Sequence, residues 1–143
     1  AMSTSEMKDT VEIHTELAGA VVTLSASTFF DPGESLVRED ALPVLNKIAK
    51  VLKRTNRVLI VQGHTDNQNI HTVRFPSNWE LSSARASTIV RYLQTIHKYP
   101  ADHLIAVGYA DQRPVAQNDT IQNRAKNRRI DILVVTDNKA ILK

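Results

Sequence analysis

The sequence predicts an α+β fold: a two-layer sandwich with a mixed β-sheet and two main helices on one face. Three observations carry this. The segments read in the order β-β-α-β-α-β-β. The two long helical segments each have one apolar stripe rather than apolar residues all round, so each buries one side only. Between them lies a continuous apolar run, Val58-Leu59-Ile60-Val61, of the kind found in a strand covered on both faces.

The elements follow in order. Residues 1–10 are polar and are expected to form a loose tail, with the folded domain over 11–137 and a short C-terminal tail over 138–143. Val11 and Ile13 alternate with polar residues, Ala18-Gly19 offers a turn, and Val22, Leu24 and Ala26 resume the alternation. This predicts a hairpin whose second strand ends at Phe29-Phe30, before the turn signal Asp31-Pro32-Gly33.

Leu36 to Arg54 predicts a helix, regular from about Asp40, which is expected to cap it; Leu42, Leu45, Ile48, Ala49 and Leu52 form its inward stripe. Pro43 is tolerable only in the first turn, where the N–H it lacks has no intrahelical partner. Arg57 to Gly63 is the central strand. Ser77-Asn78-Trp79-Glu80 spells a capping box, opening a helix that runs to about Lys98 with Leu81, Ala84, Ile89, Leu93 and Ile96 inward. A short strand is expected over 104–109, a helical turn over 121–127 and a last strand over 129–136.

At 143 residues with 42% hydrophobic and 23% charged content, the chain is an ordinary globular domain. It has no cysteine, which excludes disulfides, cysteine-based zinc sites and thiol nucleophiles. The net charge of +3 is mildly basic. With 5% aromatic residues, the cluster Arg124, Lys126, Arg128 and Arg129 lacks the stacking partners of a nucleic-acid surface and reads as solvated charge. No apolar run approaches the roughly 18 residues of a membrane span. The Ala-Met-Ser start resembles the remnant of a cleaved tag, so a longer parent protein is expected.

Two residues stand out chemically. Arg85 lies four residues after Leu81 and four before Ile89, on the inward side of its helix. A cation there needs a partner. It either ties down a loop or receives an anion, its planar fork matching a carboxylate. Asp66 follows the central strand directly. It reads as an Asx-turn, as a partner of Arg85, or as an acceptor for an ammonium group. Together the two could grip a zwitterion. His64 and Asp66 lack a clear third metal ligand, and no serine sits in a nucleophile elbow or glycine in a phosphate loop. No catalysis, metal or cofactor is expected.

Several ordered segments resemble the OmpA-like peptidoglycan-binding domain: Gly63-His64-Thr65-Asp66, Asn78, Leu81-Ser82-Ser83-Ala84-Arg85-Ala86, Gly108-Tyr109, Pro114, Asn118, and Arg124-Ala125-Lys126-Asn127-Arg128-Arg129-Ile130-Asp131. The resemblance covers roughly residues 20–136 and is greatest to the flagellar-stator branch of that family, by the loop ending Phe75-Pro76-Ser77-Asn78-Trp79-Glu80-Leu81 and by Asn127-Arg128-Arg129-Ile130-Asp131-Ile132. It implies that Asp66 and Arg85 hold the diaminopimelate of the wall peptide, with Asn78 and Arg128 also in the pocket and Thr65, Leu81 and Asn127 shaping it. It also implies a periplasmic homodimer, peptidoglycan as partner, and a parent protein anchored by an N-terminal helix and paired with an inner-membrane stator channel subunit. Two departures stand out. Gln68-Asn69-Ile70 follows Asp66 where relatives have Gly, in a longer loop that could cover the pocket. Ala110 stands where a Gly-Tyr-Gly pattern would put Gly, which places a left-handed backbone there in doubt.

Overall fold

The computed structural model describes residues 11–16 and 19–136. The expected tails and Leu17-Ala18 of the hairpin turn lie outside the described residues. Five strands, β1 (Val11–Glu16), β2 (Gly19–Ser25), β3 (Leu59–His64), β4 (Leu104–Gly108) and β5 (Arg129–Val135), form one sheet in the order β1-β2-β5-β3-β4. Only β3 and β4 run parallel; the other pairs are antiparallel. The helices are α1 (Ala26–Phe29), α2 (Leu42–Thr55), α3 (Asn78–Thr95) and α4 (Ile121–Asn127), with 3₁₀ turns at Glu39–Ala41 and Ala101–His103.

The two long helices share one face. Val44, Leu45, Ala49 and Leu52 of α2 and Ala86, Ile89 and Leu93 of α3 pack in a single core with Val22, Leu24, Leu59, Val61, Ile130, Ile132 and Val134 of the sheet. Cross-strand register puts Leu59 opposite Val134 and Val61 opposite Ile132, so the strand residues point the same way. The reverse face carries a smaller cluster of Val21, Leu133 and Val135 with Val58 and Ile60, to which no helix of the described residues contributes.

The elements depart from expectation at four places. β2 does not reach Phe29-Phe30: after Ser25 the chain turns through α1, with Phe30 N–H donating to Ala26 O at 2.8 Å. Both phenylalanines are fully buried, which a strand cannot do for consecutive residues on one side of a sheet. Asp40 does not cap α2. It lies in the preceding 3₁₀ turn and pairs with Arg38 at 2.9 Å, and Pro43 falls at the start of the α-helix. Leu42 consequently leaves the inward stripe and Val44 takes its place. Ile13 is 72% exposed on the edge strand β1. In α3, Ala84 is only half-buried because Leu81, Ser82, Arg85 and Ala86 take the inward positions of its first turns, and Ile96, past the end of the helix at Thr95, is exposed.

Two glycines hold α3 against the sheet. A Cβ on Gly63 would come within 2.1 Å of Ser82 O, and one on Gly108 within 2.1 Å of Ser83 Oγ. The ends of β3 and β4 therefore meet the first turns of α3 backbone to backbone, which sets Asp66, Asn78 and Arg85 at one corner of the fold.

Candidate functional site

At that corner is a cavity of about 590 Å³. Of the seven residues expected at the site, Thr65, Asp66, Asn78, Leu81, Arg85 and Arg128 line it. Asn127 does not. It is fully buried, and its side chain accepts from Val115 N–H and Ala116 N–H and donates to Ala116 O and Asn118 Oδ1, fixing the loop ahead of α4.

Asp66 is 4% exposed. Its Oδ1 accepts from Gln68 N–H at 3.0 Å, so the Asx-turn forms. Its Oδ2 accepts from Arg128 Nη1 at 2.6 Å, so its cationic partner is Arg128 rather than Arg85. Thr65 donates its hydroxyl to Asp66 O and its N–H to Ala110 O, holding the acid at the end of β3. Asn78 Nδ2 donates to Gln68 O and closes the loop from the helix side. Ser77 caps α3 as expected, but neither bond is that of the capping box: its Oγ accepts from Trp79 N–H, and its hydroxyl donates to the Glu80 carboxylate.

Arg85 is buried within α3. Its Nε donates to Glu34 O at 2.8 Å and its Nη2 to Asp31 O at 3.2 Å, and the guanidinium lies 4.9 Å from the Phe30 ring centre. Arg85 thus does tie down a loop, the Asp31–Glu34 turn. Among the described residues its Nη1 has no hydrogen-bond partner. Burial, and then the neighbouring Arg128 charge, lower its pKa to about 10, which leaves it cationic at neutral pH. The cavity is lined by three arginines and one carboxylate: Arg38 pairs with Asp40 and Arg128 with Asp66, which leaves the Nη1 edge of Arg85 open among the described residues. Such a lining offers donors to a carboxylate at Arg85 and an acceptor to an ammonium group at Asp66.

The profile of the OmpA family matches residues 29–128. The chain belongs to the OmpA family. Motility protein B of Bacillus subtilis is 37% identical over 118 residues, 82% of this chain and 45% of that protein. An uncharacterized protein of the same organism, YtxE, is 44% identical over 116 residues, 81% of this chain and 48% of that protein. The chain thus spans about half the length of these curated relatives. Among solved structures, the cell wall anchor of the type VI secretion system (T6SS) from Pseudomonas aeruginosa superimposes with a TM-score of 0.86 at 34% identity, covering 93% of this chain and 92% of that one.

Within this OmpA-family fold, both sequence departures acquire a physical account. Ala110 adopts φ +54°, so the left-handed backbone survives without Gly. It is held there by Ala110 N–H donating to Ser82 Oγ at 3.1 Å and by Thr65 N–H donating to Ala110 O at 2.8 Å. The longer loop builds a wall: Gln68, Asn69 and Ile70 line the cavity, with the Ile70 terminus close against the turn at Gly33. Beyond Ile70 the loop is stitched by Thr72 N–H to Phe75 O and by Phe75 N–H to Thr72 Oγ1, with Phe75 buried as its anchor. Sequence reasoning missed the opposite wall, formed by Ala26, Ser27, Phe30, Pro32, Gly33 and Arg38. Asp31-Pro32-Gly33 was legible as a turn, but its partner, Arg85, is more than fifty residues away and no local signal joins them.

Proposed function

We propose that this is a non-catalytic peptidoglycan-binding domain that takes the diaminopimelate of the wall peptide and anchors a flagellar motor stator to the cell wall. The observation that carries this reading is that a buried acid, Asp66, and a buried arginine, Arg85, whose Nη1 has no hydrogen-bond partner among the described residues, line one open cavity. The free end of diaminopimelate bears an ammonium and a carboxylate on one carbon, the two charges such a site separates. The similarity to Motility protein B supports the stator assignment, and the similarity to a cell wall anchor supports the ligand. On this reading the domain works outside the cytoplasm as a homodimer whose parent partners an inner-membrane channel subunit. Two copies on a repeating polymer gain avidity from effective concentration.

Pull-down with insoluble peptidoglycan tests the site. Asp66→Ala and Arg85→Ala should each lose retention while keeping a native circular dichroism spectrum; normal retention by both variants would make the pocket assignment wrong. The T6SS resemblance favours a second parent, an anchor of a different envelope machine. Loss of swimming on deletion of the parent, restored by the wild type and not by Arg85→Ala, would decide for the stator.

A further inference from the structure

A second cavity, of about 530 Å³, lies on the face of the sheet opposite the two long helices. Its floor is Thr23, Ser25, Arg129 and Asp131. Glu12 pairs across the sheet with Thr23, and Thr23 with Asp131, so these side chains share one face. Glu12, His14 and Glu16 of β1 make one wall, and Lys126 and Arg128 at the end of α4 make the other. Arg128 lines both cavities. The Asp66–Arg128 ion pair is therefore the partition between the zwitterion pocket and this groove.

The charges of the floor are already satisfied. Asp131 accepts from Thr23 Oγ1 at 2.7 Å and from Arg129 Nε at 3.0 Å. The walls are different. Neither Lys126 nor Glu12 has an ion-pair or hydrogen-bond partner among the described residues, and both are exposed. A basic wall faces an acidic wall, with Val115 and Ala125 also lining the groove. Such a groove fits a short peptide with a carboxylate toward Lys126 and N–H groups toward Glu12 and Glu16. The basic cluster that reads in sequence as solvated charge thus divides: Arg128 serves the partition, Arg129 the floor and Lys126 the free wall.

We propose that this groove is a second subsite for the wall peptide. It takes the carboxylate-bearing residue next to the diaminopimelate once that group fills the Asp66 pocket. The inference rests on the peptidoglycan reading and adds that the domain recognises a peptide rather than a single amino acid. Exposed pairs contribute little each, so the groove tunes affinity rather than creating it.

Two probes separate the subsites: free meso-diaminopimelate, and a synthetic stem tetrapeptide in which γ-linked D-glutamate precedes diaminopimelate. In titration calorimetry, Lys126→Glu should weaken the tetrapeptide about fivefold and leave free diaminopimelate unchanged, whereas Asp66→Ala should abolish both. In amide NMR spectra of the wild type, the tetrapeptide should shift Thr23, Ser25 and Lys126, and free diaminopimelate should not. Equal binding of the tetrapeptide by wild type and Lys126→Glu, with no shifts at those amides, overturns the subsite and leaves the pocket standing. Failure of the wild type to bind either probe overturns the pocket and the subsite with it. Groove shifts on adding some other protein but not the tetrapeptide would also overturn it, since the occupant would then be a partner chain.

Discussion

Two buried charge clusters sit at the same end of β3, two residues apart in sequence. Asp66 leads one and His64 the other. In the His64 cluster every charge is answered by protein: Arg129 donates to Asp131, to Asn127 O and to Arg113 O, and Asp131 also accepts from Thr23. His64 stacks on Tyr109 with ring centres 5.1 Å apart, and its nearest acid, Asp131, is 3.5 Å away. Neither ring nitrogen makes a hydrogen bond. Burial, then the Arg129 charge, push the His64 pKa down to about 4, so the ring is neutral and its approach to Asp131 is not an ion pair. In the Asp66 cluster the protein leaves one guanidinium edge unanswered and a cavity in front of it. Similar residues thus do structural work where the protein saturates them and are available for recognition where it does not.

That contrast can be broken from either side. Asp131→Ala should be the most damaging change, because it strands Arg129 in the interior; a loss of about 3–5 kcal/mol is expected, read as a lower urea midpoint. Acid should act next. The folded chain keeps His64 neutral down to about pH 4, while an unfolded histidine takes its proton near pH 6.5. This contribution to stability is complete above pH 6.5 and is lost as pH falls toward 4, on the order of 2–3 kcal/mol. His64→Phe, which keeps the stack on Tyr109, should flatten the melting temperature over that window; an unchanged slope would assign the acid sensitivity elsewhere.

On the open side, Arg85→Lys should cost ligand more than fold. A lysine keeps the charge but cannot reach Glu34 O and a ligand carboxylate at once, so affinity for diaminopimelate should drop by at least about tenfold, about the worth of one charge-assisted bond. Retained affinity would mean that a point charge suffices and the free Nη1 edge is not the receptor. The smallest effect should come from Ala110→Gly. Relief of the positive φ should raise stability by at most about 1 kcal/mol, since Gly also has more unfolded-state freedom to lose. A fall in melting temperature would show that the Ala110 methyl contributes packing that outweighs its strain.

Local patterning made most of the frame legible. The stripes Leu45-Ala49-Leu52 and Leu81-Ile89-Leu93, and the alternation Ile130-Ile132-Val134, each point one way because helix and strand periods are fixed by backbone geometry. What failed was local competition decided elsewhere. Residues 26–29 turned helical and Phe30 left that turn extended, bridging to Val37, so that both rings are buried, and Asp40 pairs with Arg38 instead of capping. Asp66, Arg85, Asn78 and Arg128 were legible as a set through their ordered resemblance to other sequences. Spacing alone left Arg85 divided between tying a loop and receiving an anion, and it is placed to do both.

The sequence by itself determined which residues face the core, where the strands and helices lie, and that Arg85 must find a partner inside the fold. Those follow from the period of each element and the cost of an unpaired buried charge. Only the tertiary structure decided which partner it finds. It gave Asp66 to Arg128, gave the Nε and Nη2 nitrogens of Arg85 to the Asp31–Glu34 turn, and left Nη1 without a partner among the described residues at the edge of a cavity. Those pairings join segments far apart in the chain, and their geometry depends on Gly63 and Gly108 letting α3 approach the sheet, a closeness that no single segment encodes.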